Sequence, residues 1–215
     1  TTVVAIEGRN RIEGVWLAPV DPETWEADPE NREFVACDTL LLSVGLIPET
    51  GLATEAGLSL SRHGGIAVDQ HCNAVSISAT GAIETETAGI FACGNVVQVH
   101  DLVDYAAEEG ERAGEAAAHF VKTGKAGRRF VPVSAGEGVG QVTPACISLP
   151  VWSDKVYLSF RAAKPMKGAT VICRQGDEIL VKTRRPYLRP GEMERVEFSP
   201  ALLANECEVV LEVVQ

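Results

Sequence analysis

Gly94 and Asn95 close a short apolar run, Gly89-Ile90-Phe91-Ala92-Cys93, about seven residues before a helical stretch that opens near Leu102 and Val103. Glycine lets a backbone come close to a ligand. Asparagine adds a short side chain that both donates and accepts hydrogen bonds. A buried strand ending this way delivers both residues to the carboxyl edge of a sheet, where open α/β sheets bind ligands. The N-terminus of the next helix carries N–H groups without intrahelical partners and a partial positive charge. These features suit an electron-rich oxygen. They hold a ligand rather than attack one, and no catalytic residue is assigned.

A second segment, Cys37-Asp38-Thr39-Leu40-Leu41-Leu42-Ser43-Val44-Gly45-Leu46-Ile47-Pro48, lies about 45 residues before the Gly94 motif. Its apolar run predicts a strand buried on both faces, ended by Gly45 and Pro48. Gly45 lets the backbone pass close to a neighbouring group. Other chemistry-bearing residues read more plainly. Cys37, Cys72, Cys93, Cys146, Cys173 and Cys207 are scattered without a C-x-x-C pair, as expected of small buried hydrophobes in a cytoplasmic protein. Cys93 falls inside the motif strand, where burial is expected. The four histidines do not combine with cysteines at structural-zinc spacings, so no metal site is expected. His100 is read as a loop histidine that caps or packs. Gly136-Glu137-Gly138-Val139-Gly140-Gln141 imitates a dinucleotide-binding turn, but its final glycine is absent and no helix follows.

The elements that must position these residues follow from periodicity. Residues 1–6 and 12–20 predict a hairpin about a turn at 8–11, and 34–37 a further short strand after a polar loop at 21–33. A short helix is expected over 51–56, then a turn at Gly64-Gly65 and a strand at 66–69. Val103, Ala106, Ala107, Gly110, Ala113, Gly114 and Ala117 recur at helical spacing, a small-residue stripe suited to close packing. Asp101 is the expected N-cap and Lys122 lies near the expected end. Beyond about Arg129 the period changes to two. Val156, Leu158 and Phe160 alternate with polar residues, and Gln175-Gly176-Asp177 marks a hairpin turn. Cys207, Val209, Leu211 and Val213 are expected on one face of the last strand. Lys182, Arg184, Arg185 and Arg189 read as a solvated strand surface. The boundary is placed near residue 136, between a domain of residues 1–135 and one of 136–215.

The motif Thr87-Ala88-Gly89-Ile90-Phe91-Ala92-Cys93-Gly94-Asn95 with its helix resembles the second FAD-binding motif of the pyridine nucleotide-disulfide oxidoreductase superfamily. The family's strand commonly ends Gly-Asp; here Asn95 replaces the Asp and brings no negative charge. The resemblance implies that Gly94 and Asn95 contact the ribityl-phosphate part of FAD, and that Leu102 and Val103 offer backbone N–H groups to the isoalloxazine. The segment around Gly45 resembles the family's A-T-G-x-x-P crossing from the NAD domain to the FAD domain, which implies that the backbone at Gly45 passes close to a dinucleotide, and the hairpin before it resembles the β-meander closing the NAD domain. Residues 94–105 resemble a bacterial subgroup associated with anaerobic glycerol-3-phosphate dehydrogenase-like enzymes. The implied fold class is α/β, a partial FAD/NAD(P)-binding Rossmann-like domain with a β-meander. A small all-β tail that resembles an immunoglobulin-like sandwich follows.

The sequence contains neither of the G-x-G-x-x-G turns that such an enzyme uses for FAD and NAD(P). The expectation is therefore the C-terminal part of a longer oxidoreductase, inactive alone, its opening at Thr1 lying inside a strand. Three alternatives stay open: a module that docks a partner oxidoreductase subunit, dinucleotide domains on another chain, and a homo-oligomer. Apolar residues at 46% supply a real core. Lys and Arg total 19 against 30 Asp and Glu, and a net charge of −11 argues against binding nucleic acid through phosphates. The basic residues Lys122, Lys125, Arg128 and Arg129 are read as a solvated linker. No apolar run reaches membrane-spanning length.

Overall fold

The computed structural model describes the chain except residues 22–23, 25, 43–44, 79–81, 85–88, 125–126, 128 and 205. The described chain is mostly β-sheet with few helices, and divides into two compact units, residues 1–45 and 46–215.

The first unit is an antiparallel meander of β1 (Thr2–Glu7), β2 (Gly14–Ala18) and β3 (Glu33–Ala36), with β2 central. The expected hairpin and short third strand are both present. Gly14 has a packing reason, since a Cβ there would lie 2.1 Å from the Phe34 ring. The space is used to bring Phe34 against Trp16, with ring centroids 5.2 Å apart. The polar excursion carries a 3-10 turn, Pro29–Asn31, capped by Asp28. The apolar run after Cys37 does not form the expected strand. Residues 38–42 have no regular structure, and Leu41 and Leu42 are 88% and 69% exposed. A strand buried on both faces needs paired neighbours and covering layers, and no described strand pairs with this run. Ser43 and Val44 of the run lie outside the described residues.

The second unit opens with α1 (Gly51–Glu55), followed by an irregular layer built on single bridges rather than strands. Residues 66–69 make bridges at Ile66, Val68 and Asp69, and 89–94 makes one at Phe91 to Asn73. The sequence predicts a strand in each stretch; each makes isolated bridges and no ladder. Thr87 and Ala88 of the motif lie outside the described residues. A short pair, β4 (Ser76–Ile77) and β5 (Ile83–Glu84), lies between them in the chain. Ala53, Leu58, Ile66, Val68, Ala74, Ala92 and Val97 form a local core. Gly65 permits it, because a Cβ would sit 1.8 Å from the Val97 carbonyl oxygen.

Helix α2 (Val103–Thr123) ends at Gly124, whose φ of 62° places it in the left-handed region favoured by glycine. Its N-cap is Leu102, not Asp101, and no side chain caps it. The small-residue stripe is its packed face only in part: Ala113 is buried and Ala106, Gly110 and Ala117 are half-buried. Glu109, Ala113 and Ala116 are buried, whereas Val103, Ala107 and Gly114 are exposed. The stripe's period is helical, but the helix is turned so that Glu109 points inward.

The rest is two sheets around one core. One has strand order β11 (Glu178–Leu188), β10 (Met166–Gln175), β13 (Val209–Val214), β6 (Arg129–Ala135), β8 (Cys146–Leu149). The other is β12 (Glu194–Phe198), β9 (Val156–Ala162), β7 (Val139–Thr143). Alternation dictates the inward set: Val156, Leu158 and Phe160 from β9, Val171 and Cys173 from β10, Val209, Leu211 and Val213 from β13. Each large apolar side chain buried here contributes roughly 1.5–3 kcal/mol. Cys207 lies before β13 and is exposed. The hairpin turn at Gly176-Asp177 joins β10 to β11, with Gln175 opposite Glu178. The glycine run at 136–140 is a tight turn into β7, not a phosphate loop.

Two glycines in the left-handed region separate backbone strain from crowding. Gly138 (φ 71°) would place a Cβ 2.4 Å from the Val213 carbonyl oxygen, whereas Gly176 (φ 59°) faces open space. Gly176→Ala is expected to cost about 1 kcal/mol from backbone strain alone. Gly138→Ala is expected to cost about 2–4 kcal/mol because β13 must also shift. Urea denaturation of the two variants checks the difference, and equal midpoints would contradict it.

Candidate functional site

Residues 94–103 form a loop between the extended segment ending at Cys93 and the start of α2. Gly94 adopts a φ of 77° and opens a single 3-10 turn, Gly94–Val96. A side chain at Gly94 would meet nothing within 4 Å, so this backbone has an open face. Asn95 is exposed, and its Oδ1 accepts the His100 N–H at 3.1 Å. Leu102 and Val103 are 52% and 81% exposed at the uncapped N-terminus of α2. The structure therefore brings Gly94, Asn95, Leu102 and Val103 onto one loop and helix start. Gly45 belongs to the other unit, is exposed, and has no neighbour within 4 Å of a built Cβ.

The residue that organises this loop is Glu109, 3% exposed. Its Oε2 accepts the Gly94 N–H at 2.6 Å and lies 3.0 Å from His100 Nε2; its Oε1 accepts from Gln98 Nε2 at 3.2 Å. Arg112 Nη2 approaches Oε1 at 3.9 Å. A carboxylate this far from water is tolerated only when charge-assisted donors replace its hydration. His100 is thus a buried packing partner, with its ring on Glu109 and its Nδ1 unpartnered among the described residues.

Asp69 does similar work for the segment beneath. Its Oδ1 accepts the His71 and Asn73 N–H groups at 2.8 and 3.0 Å. Burial nevertheless pushes its carboxyl above the usual range. The Gln70 side chain exchanges bonds with Ser148 of β8, donating to its carbonyl at 2.9 Å and accepting its N–H at 2.7 Å. Cys72 sits in the left-handed region (φ 62°), buried, with burial pushing its thiol up to about 12.

Beside α2 lies a cavity of about 580 Å³, lined in part by His71, His119, Phe120, Leu149 and Trp152. Both imidazoles stack on the Trp152 indole, at 4.2 and 4.8 Å between centroids. His71 Nε2 is buried without a partner among the described residues. No described cluster of three or more His, Cys, Asp or Glu side chains is arranged to hold a metal ion. Among the described residues no helix is long and apolar enough to cross a membrane. Cys93 is exposed rather than buried, yet its thiol is held above the ordinary value, first by partial burial and then by Glu109. It is not an activated nucleophile. Of the basic cluster, Lys125 and Arg128 lie outside the described residues, and Arg129 pairs with Glu206 at 2.8 Å.

The family model described as pyridine nucleotide-disulphide oxidoreductase matches residues 1–110, which include the meander, the Gly94 loop and the start of α2. No curated protein and no solved structure matches the chain.

Glu109 and His71 each give a measurable expectation. Glu109→Ala strands the Gly94 N–H, Gln98 and His100 in a buried site, and is expected to cost about 3 kcal/mol. Glu109→Gln, which keeps shape and an acceptor, should cost about half as much; equal losses in chemical denaturation would refute the bonding account. His71 is held at about 4 against 6.5 for the ordinary imidazole, chiefly by burial, then by the His119 and Arg112 charges. The unfolded chain takes this proton first as pH falls. Stability from His71 is complete above pH 6.5 and declines between 6.5 and about 4. The decline is on the order of 3 kcal/mol in total. Comparing unfolding free energies of wild type and His71→Phe across that window isolates the contribution, and identical pH slopes would rule it out.

Proposed function

Because the chain belongs to the pyridine nucleotide-disulphide oxidoreductase family, we propose that it supplies the flavin-contacting segment of a flavin- and nicotinamide-dependent oxidoreductase. The observation that carries this reading is the pairing of an open, positive-φ Gly94 with an uncapped α2 N-terminus inside the matched segment. The residues fit the group. Nothing stands over the Gly94 backbone, Asn95 is exposed, and the N–H groups at Leu102 and Val103 lie at an exposed helix start.

In the proposed site Gly94 and Asn95 bind the ribityl-phosphate part of FAD. The first-turn N–H groups of α2 orient the isoalloxazine and favour negative charge on its oxygens. When bound, the flavin supplies the hydride and electron transfer. Glu109 and Asn95 act by holding the loop: one carboxylate fixes Gly94 and His100, and one amide oxygen caps the His100 N–H. Gly45 is kept as a backbone position near a dinucleotide. NAD(P) and FAD pyrophosphates would be gripped by G-x-G-x-x-G turns that this sequence does not carry. The proposal extends to a cytoplasmic setting, supported by six unbridged cysteines, and to the glycerol-3-phosphate-dehydrogenase-associated subgroup. It also takes the β-rich part as immunoglobulin-like, supported by two sheets over one core.

Amide chemical shifts measured while FAD is titrated into the 215-residue chain test the reading. Weak, saturable shifts are expected at Gly94, Asn95 and residues 102–104, without a stoichiometric yellow complex. Shifts confined elsewhere, or none at millimolar FAD, would overturn it.

A further inference from the structure

The loop that ends at Leu102 is held from two sides. Glu109 ties its beginning to α2. Its end is tied to the β-rich part. Arg161 of β9 donates through Nη2 to the Val99 carbonyl at 3.0 Å and to Asp101 Oδ1 at 2.5 Å. The same guanidinium donates through Nη1 to the Gly191 carbonyl at 2.7 Å, which anchors it in the turn before β12. The Met193 N–H donates to the other Asp101 oxygen. Asp101, read from sequence as a helix cap, is thus the loop's attachment point to another part of the unit.

The attachment continues along α2. Arg195 of β12 donates to Glu108 Oε2 at 2.6 Å and lies over the Tyr105 and Tyr157 rings at 4.9 and 5.1 Å. Arg195 holds the Glu108 carboxyl below the usual range. Arg112 lies over Tyr157 at 5.5 Å. Asp101, Tyr105, Glu108 and Arg112 follow one another at four, three and four residues, a single side of the helix and its entry. An exposed ion pair contributes little by itself. Arg161 differs because its side chain is only 19% exposed and its fork of donors makes three directed bonds to two segments.

We propose that the β-rich part belongs to the flavin-contacting site, with Arg161 as its positioning residue. Through Val99 and Asp101, Arg161 and the Met193 N–H set where the Gly94 loop ends and where the α2 N-terminus points. The role in flavin binding rests on the function proposed above; the control of the loop does not.

Hydrogen exchange and FAD titration on the full 215-residue chain test both parts. In Arg161→Met, amides of Gly94, Val97, Gln98 and His100 are expected to exchange at least tenfold faster. Amides of the β10–β13 ladder, such as Val171 and Leu211, should keep their rates. Arg161→Lys should restore part of the protection. Asp101→Asn, which leaves the β-sheets intact, should loosen the same amides, and the double variant Asp101→Asn/Arg161→Met should be no looser than the worse single. Loop rates unchanged, or loop and ladder rates rising by the same factor, would overturn the positioning role. For flavin, FAD-induced shifts at residues 94–104 should need about tenfold more FAD in Arg161→Met. If wild type shows no such shifts while the loop still loosens in the variant, the flavin reading fails and the positioning role stands. If the loop loosens and FAD binds both proteins equally, the link between the clamp and flavin binding fails.

Discussion

A single carboxylate in the middle of a 21-residue helix governs how the second unit is arranged. Glu109 is almost wholly removed from water, which is costly for a charge unless donors surround it. The donors come from Gly94, Gln98 and His100, all in the loop immediately before the helix. That requirement sets the rotation of α2 about its axis. With Glu109 inward, Ala113 and Ala116 pack inward with it, and Val103, Ala107 and Gly114 are left on the outer side. The loop is consequently folded back over its own helix, with Gly94 open and the helix start uncapped.

The same rotation points Asp101, Tyr105, Glu108 and Arg112 at β9 and β12. Each contact is modest, about 0.5–1 kcal/mol for a cation over an aromatic ring near the surface. Their strength lies in direction and in the rigidity of what they join. The sheets behind them enclose a core rich in valine, leucine and phenylalanine, and such cores transmit position because they pack densely. On the other side, Gln70 pairs with Ser148 of β8 through both of its polar atoms, and Asp69 bridges to Cys146. The segment under the loop and the helix beside it are thus both tied to the β-rich part.

The cavity beside Trp152 reflects the same construction at another point. Two imidazoles stack on one indole, and burial keeps His71 neutral at ordinary pH. The stacked rings fill space between a helix and a sheet edge. Cys72, in a left-handed conformation with its thiol near the Glu109 carbonyl at 3.8 Å, completes the packing under α2.

Most local elements were legible in the order of residues. Alternation marked the strands of the β-rich part, Gly176 its hairpin turn, Gly124 the helix end, and Gly94-Asn95 the loop before α2. These signals are short-range: period, turn chemistry and backbone freedom are written within a few residues. The apolar run at 38–42 misled because an apolar run states only that burial is favourable, not that a neighbour is present to provide it. The face of α2 misled similarly. Small residues recur at helical spacing on both the open and the buried side, the buried side also carries a glutamate, and a charge reads as surface until its donors are seen. Which residues meet Glu109, and that Asp101 meets Arg161 sixty residues away rather than capping its helix, depends on distant segments arriving together. Only the tertiary structure decides that, because the solvation of a buried charge is supplied by whatever the fold brings to it.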